Sequence, residues 1–192
     1  MVLNKIQKKI MKYLIGLIAF AAIISFRYVE EIYNIPVKTI DGAKLDLNQC
    51  RGKKILFIVL PVTTSDTTVS FGEITQLQAR YQNSLVVIGV PAEETGVKKG
   101  DEGKIKKMYK DASANFIITE RMKVKKGAEQ SAIFQWLTDK DKNRHYNEEV
   151  AGVGTKFFLD EGGELYAVMR PQLKLSNPMI DRILSKKNPA EK

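Results

Sequence analysis

Hydrophobic and polar positions along this chain change period several times, and each change marks an element. Pro36-Val37-Lys38-Thr39-Ile40 alternates, Asp41-Gly42 signals a turn, and Lys44-Leu45-Asp46-Leu47 alternates again, which predicts a hairpin. The run from Lys54 to Leu60, bounded by Gly52 and Pro61, is nearly all apolar, as in a central strand buried on both faces. Phe71, Ile74, Leu77, Gln78 and Tyr81 recur at helical spacing, so a helix is predicted over Val69 to Gln82. Ser84 to Val90 is the next buried strand, giving a parallel β-α-β unit. Asp101 is positioned to cap a helix running to Asp111, with Ile105, Met108 and Tyr109 facing inward. Phe116 to Ile118 reads as a short edge element and Glu129 to Leu137 as a helix, followed by a long polar loop from Thr138 to Gly152. Thr155 to Leu159 and Glu164 to Met169 flank Asp160-Glu161-Gly162-Gly163 as an antiparallel hairpin, and Asn177 to Lys186 is a last helix. The class is α/β, a central mixed β-sheet flanked by helices.

One stretch lies outside that pattern. Tyr13 to Phe26 is uncharged and mostly apolar, behind Lys5, Lys8, Lys9 and Lys12 and ahead of Arg27. As a helix it would span roughly 21 Å, short of the roughly 30 Å hydrocarbon core. Snorkelling by Lys12 and Arg27 extends it into an uncleaved anchor; a cleaved signal peptide is the alternative. Either way the lysines stay cytoplasmic and the remainder is expected on the extracytoplasmic side. The expected division is residues 1–32 as N-terminal hydrophobic helix and linker, 33–187 as one domain, and 188–192 as a tail.

Composition narrows the chemistry. The chain has 192 residues, 44% hydrophobic and 28% charged, which suits one globular domain with an appendage. A single cysteine, Cys50, excludes an internal disulfide framework, a cysteine-rich zinc site and a two-cysteine redox cycle within one chain. The net charge of +9 is concentrated at the N-terminus and in the tract Lys98 to Lys126, which includes Lys99, Lys106 and Lys110. Such a surface suits anionic partners, whereas no nucleic-acid motif accompanies it.

Several motifs resemble the glutathione peroxidases, a branch of the thioredoxin-like folds, in collinear order over about residues 33 to 186. Asn34 to Gly42 is similar to the family's opening hairpin, and Leu47-Asn48-Gln49-Cys50-Arg51-Gly52-Lys53 to its Leu-Ser-x-Tyr-x-Gly-Lys stretch. Gly89-Val90-Pro91 stands for Gly-Phe-Pro, Ile133 to Leu137 for Leu-Tyr-x-Phe-Leu, and Thr155 to Asp160 for Thr-Lys-Phe-Leu-Val-Asp. The resemblance implies a thioredoxin-like fold. It also places the family's reactive cysteine or selenocysteine on Ser65, its glutamine on Glu94, and its Trp-Asn-Phe on Gly152-Val153-Gly154. The resolving cysteine of the thioredoxin-dependent branch would fall near Lys110. Peroxide reduction needs a soft nucleophile that passes through a sulfenic acid, and a serine hydroxyl has no such ladder.

The remaining chemistry-bearing residues carry weaker patterns. Cys50, just before a central strand, reads as a small buried hydrophobe, with a redox sensor as the alternative. Ser65, Asp66 and His145 lack a Gly-x-Ser-x-Gly elbow. Glu93, Glu94, Asp101 and Glu102 fit no cation-loop spacing and read as an acidic rim. Trp136 reads as core. The run Thr63-Thr64-Ser65-Asp66-Thr67-Thr68 suits helix capping and turn formation, or anion binding at a helix N-terminus. The expectation is a membrane-tethered extracytoplasmic domain without peroxidase activity that works in binding or assembly. Its working surfaces would be Thr64, Ser65, Asp66 and Thr67, with Lys98, Lys99, Lys106 and Lys110. The alternative is a peroxidase or thiol oxidoreductase using Cys50 or an unrecognised site. No cofactor or metal is expected. Partners would be the membrane, through residues 13–26, and a protein or anionic small molecule; the resemblance implies a monomer, because the 137–155 loop has the length of the family's monomeric members and lacks the insertion of its oligomeric ones.

Overall fold

The computed structural model describes residues 31–96 and 100–186. The apolar segment 13–26, Lys98, Lys99 and residues 187–192 lie outside the described residues. Among the described residues no helix is long and apolar enough to cross a membrane.

The opening hairpin forms from β1 (Val37–Lys38) and β2 (Lys44–Leu45), paired antiparallel with Val37 opposite Leu45. The apolar runs become the main sheet: β3 (Lys54–Leu60), β4 (Leu85–Pro91), β5 (Ile117–Ile118), β6 (Lys156–Leu159) and β7 (Leu165–Met169), in the order β5-β4-β3-β6-β7. β3, β4 and β5 are parallel, while β6 runs antiparallel to β3 and β7 antiparallel to β6. The mixed sheet follows from the connections: helices join the parallel strands, and a tight turn joins β6 to β7.

The helices are α1 (Phe71–Arg80), α2 (Glu102–Asp111), α3 (Ala132–Thr138), the single turn α4 (Lys140–Asn143) and α5 (Pro178–Ser185). Alternation along β3 sorts the core into two layers. Ile55, Phe57 and Val59 join one apolar cluster with the hairpin and with Ile133, Phe134, Trp136 and Leu137 of α3. Leu56, Ile58 and Leu60 join the other, with Ile74 and Leu77 of α1, Ile105 and Tyr109 of α2, and Ile180 and Leu184 of α5. Trp136 is core, as its position on the helix predicts. At Gly89 in β4 a Cβ would lie 2.4 Å from Leu60 Cδ1 and 2.8 Å from Phe116 Cε2, so only glycine lets these side chains cross the strand.

Two boundaries differ from the sequence pattern. The helix expected from Glu129 begins at Ala132, because the preceding residues have other partners. Glu129 pairs with Lys123, and the buried Gln130 amide donates to the Val124 carbonyl at 3.0 Å and to Thr138 Oγ1 at 3.1 Å. The polar loop after it is not featureless, since it holds α4 and a buried Asn143. That side chain donates to the Trp136 and Tyr146 carbonyls, both at 2.9 Å, and accepts from the His145 and Tyr146 amides, both at 2.8 Å. One amide group thus satisfies four backbone groups where a helix and a turn would leave them unpaired.

Candidate functional site

Ser65 lies in the connection that carries the chain from the C-terminal end of β3 to α1. The connection is anchored at its root, where the buried Tyr109 hydroxyl donates to the Pro61 carbonyl at 2.6 Å. Burial drives that phenol well above its ordinary pKa, so it remains a donor. Further along, Asp66 Oδ1 accepts from the Thr68 amide at 2.9 Å, and the hydroxyls of Thr63 and Ser65 lie 3.1 Å apart. Ser70 then caps α1, accepting the Glu73 amide at 3.2 Å. Thr64, Ser65 and Thr67 are exposed and Asp66 is half-buried.

The segment Gly152-Val153-Gly154 is brought against this loop. Gly154 N donates to the Val59 carbonyl at 2.8 Å, and Gly152 O accepts the Thr155 hydroxyl at 2.7 Å. Gly154 has φ +86, and a Cβ there would lie 3.3 Å from Thr68 Cγ2 and 3.4 Å from Val69 Cγ2. A left-handed backbone pressed on the loop favours glycine here. Val153 is half-buried in the α1-side cluster.

Glu94 lies beyond the C-terminal end of β4, at the same end of the sheet as the Ser65 loop, and its carboxylate is engaged elsewhere. Oε1 accepts the Val124 amide at 2.9 Å and the Lys125 amide at 2.8 Å, tying the turn Glu93–Thr95 to the segment after β5. The acidic rim is likewise internally paired. Arg121 Nε lies 3.3 Å from Glu102 and 4.0 Å from Glu93, and Lys104 lies 3.0 Å from Asp101. Among the described residues no group of three His, Cys, Asp or Glu side chains is placed to hold a metal ion.

The lysine tract is spread over α2 and the loop after β5. Lys106 pairs with Asp41 of the opening hairpin, Lys123 with Glu129, and Lys126 Nζ donates to Asn147 at 2.8 Å. Lys110 is exposed near the end of α2.

The two other candidates lie at the far end of the sheet. Cys50 is only 4% exposed, in the turn Leu47–Cys50 ahead of β3, and burial pushes its thiol pKa up. The seven residues of β3 separate it from the Ser65 loop by about 20 Å of strand. His145 reaches Glu164 at 3.3 Å, beside the β6–β7 turn at that same far end, so no Ser65-Asp66-His145 triad forms.

The residue that sequence reasoning passed over is Lys156. It stands opposite Ile58 in β6, is only 3% exposed, and donates from Nζ to the Gly154 carbonyl at 2.7 Å. Among the described residues no carboxylate lies within 4.0 Å of it. Burial pulls its pKa down to about 8 against the opposing influence of Glu73. Lys156 and Glu73 line a cavity of about 90 Å³ with Thr67, Thr68, Ser70 and Lys174. The available signal was a lysine in the inward register of an apolar strand, on the same face as Phe158.

Parallel β3-α1-β4 followed by an antiparallel β6-β7 hairpin and a terminal helix defines a thioredoxin-like protein. The glutathione peroxidase family model matches residues 32–138, and the chain belongs to that family. It is 25% identical over 118 residues to glutathione peroxidase 2 of Pongo pygmaeus, a match covering 58% of this chain and 62% of that protein. The chain therefore spans less than two thirds of that relative's length. Among solved structures, T. cruzi GPX1 superposes with a TM-score of 0.62 at 18% identity, covering 81% of this chain and 95% of that one. The apo form of Trgpx does so with a TM-score of 0.62 at 16% identity, covering 83% and 99%. At such identities the superpositions speak for the fold.

Proposed function

We propose that this chain is a non-peroxidatic glutathione-peroxidase-like domain that works in binding or assembly, tethered on the extracytoplasmic side of a membrane by residues 13–26. The observation that carries the reading is the exposed Ser65 hydroxyl at the strand-to-helix junction where the family's resemblance puts sulfur. Its surroundings agree. Glu94 spends its carboxylate on the Val124 and Lys125 amides, while Gly152 and Val153 bring no side-chain donor. Cys50 is buried at the other end of β3 with its thiol held protonated, the inert form of that group. The tether is supported by the apolar run 13–26 and its lysine-rich leader.

Peroxide consumption by the purified chain with a thiol reductant tests the reading, with Cys50→Ala and Ser65→Cys in parallel. The expected outcome is no turnover by wild type or Cys50→Ala, and turnover by Ser65→Cys far below a working peroxidase. Turnover by wild type that disappears in Cys50→Ala would establish the thiol-oxidoreductase alternative instead. Recovery of the intact chain in a soluble cytosolic fraction would end the tethered reading.

A further inference from the structure

We propose that the cavity under the Thr67–Ser70 segment is an oxyanion site, in which Lys156 supplies the charge and the carboxylate or phosphoryl end of a ligand is the guest. The inference deepens the binding reading above by naming the ligand class, and it stands on four observations.

First, a buried lysine whose ammonium has incomplete partners lines the cavity. Lys156 Nζ has three N–H bonds, and the structure gives it one acceptor, the Gly154 carbonyl. A buried cation without a counter-ion is costly, and an incoming oxyanion relieves that cost directly. Second, the donors around it have capacity to spare. Ser70 Oγ accepts the Glu73 amide and keeps its own O–H, and the hydroxyls of Thr67 and Thr68 donate to no described residue. Third, the charge balance is right. The titratable groups facing Lys156 are Glu73 from α1 and Lys174 from the segment after β7, so the lining carries two cations and one carboxylate. Glu73 raises the Lys156 pKa without reaching ion-pair distance, leaving room for a single negative guest. Fourth, the start of the ten-residue α1 contributes the positive end of its dipole to the same cavity.

Size sets the guest. A cavity of about 90 Å³ holds the volume of about three waters, enough for an acetate- or phosphate-sized head but not for the body of a larger ligand. The body would extend past the exposed Lys174 and the hydroxyl-rich loop.

The test is lysine-selective NMR of the full chain in nonionic detergent, titrated separately with acetate, inorganic phosphate and methylammonium. Either oxyanion is expected to raise the Lys156 pKa towards its ordinary value and to shift the Thr67–Ser70 amides saturably. A response to phosphate alone assigns a phosphoryl guest, and a response to acetate alone a carboxylate. Lys156→Met should weaken binding by about tenfold or more, since it removes the buried charge that the guest neutralises. Lys174→Gln should weaken it less. Absence of a saturable shift with both anions, unchanged affinity in Lys156→Met, or capture of methylammonium by Glu73 would each overturn the assignment. The wild-type pH arm decides the matter even if Lys156→Met fails to fold. Peroxide turnover bears only on the non-peroxidatic reading, so the two failures are distinguishable.

Discussion

Lys54 and Lys156 make a natural pair: each is 3% exposed, and both project from the sheet face that carries α1, α2 and α5. They differ in what they meet. Lys54, at the start of β3, has Glu161 at 3.1 Å, the Lys186 carbonyl at the end of α5 at 2.8 Å, and the Tyr166 ring at 5.1 Å. A helix C-terminus, a carboxylate and an aromatic face all favour a cation. Lys156, roughly 13 Å further along the sheet, faces the start of α1 and holds one carbonyl. A helix N-terminus opposes a cation and welcomes an anion. Burial alone therefore does not distinguish a structural lysine from a functional one. The partners do, and the poorly partnered lysine lies at the sheet end that bears the Ser65 loop.

The largest effect should come from breaking the satisfied pair. Glu161→Ala removes the carboxylate partner of the buried Lys54 ammonium and should cost about 3 kcal/mol in urea unfolding; a cost near zero would mean that the Lys186 carbonyl, the Tyr166 ring and solvent suffice for the charge. The next test removes the unsatisfied charge. Lys156→Met should stabilise the chain at neutral pH, on the order of 2 kcal/mol once the partly solvated cavity mouth is allowed for.

The same variant fixes the sign of a pH dependence. The folded-state pKa of Lys156 is about 8 against an ordinary 10.5, so between these values the unfolded chain binds more protons. The cost of burying the charge is then full below about pH 8, falls as pH rises, and is gone above about 10.5. The wild-type minus Lys156→Met difference in unfolding free energy should close over that window, and a flat difference would contradict it. The smallest effect is expected from Glu73→Gln, which removes the carboxylate that favours the charged form and should lower the Lys156 pKa further, by less than about one unit at this separation. NMR titration of the Lys156 side chain reads it directly.

The fold was legible because its strands are apolar runs with turn residues at both ends, and because both helices that pack beside β3 and β4 carry a clean apolar stripe. The places where the pattern misled are those where one side chain overrides the local preference. Gln130 and Glu129 are drawn off into contacts with Val124, Thr138 and Lys123 and delay α3, and Asn143 organises a turn within a stretch that looks like plain polar loop. Of the candidate site, the structure brings Thr68 and Val69, at the α1 end of the Ser65 loop, against Gly154. The role of Glu94 was not legible, because its partners are backbone amides thirty residues away. Lys156 was hidden for another reason. Within a β-strand a lysine signals solvent unless the register is known, and the register comes only from pairing with β3.

The seclusion of Cys50 turns the lone thiol into an internal clock. A thiol-reactive dye can reach it only when the turn ahead of β3 comes away from the core, so the labelling rate of the unmodified chain measures how often that end of the sheet opens. The variants at Lys156, Lys174, Glu73 and Glu161 leave this thiol in place, so each could be scored for its effect on that opening without adding a probe.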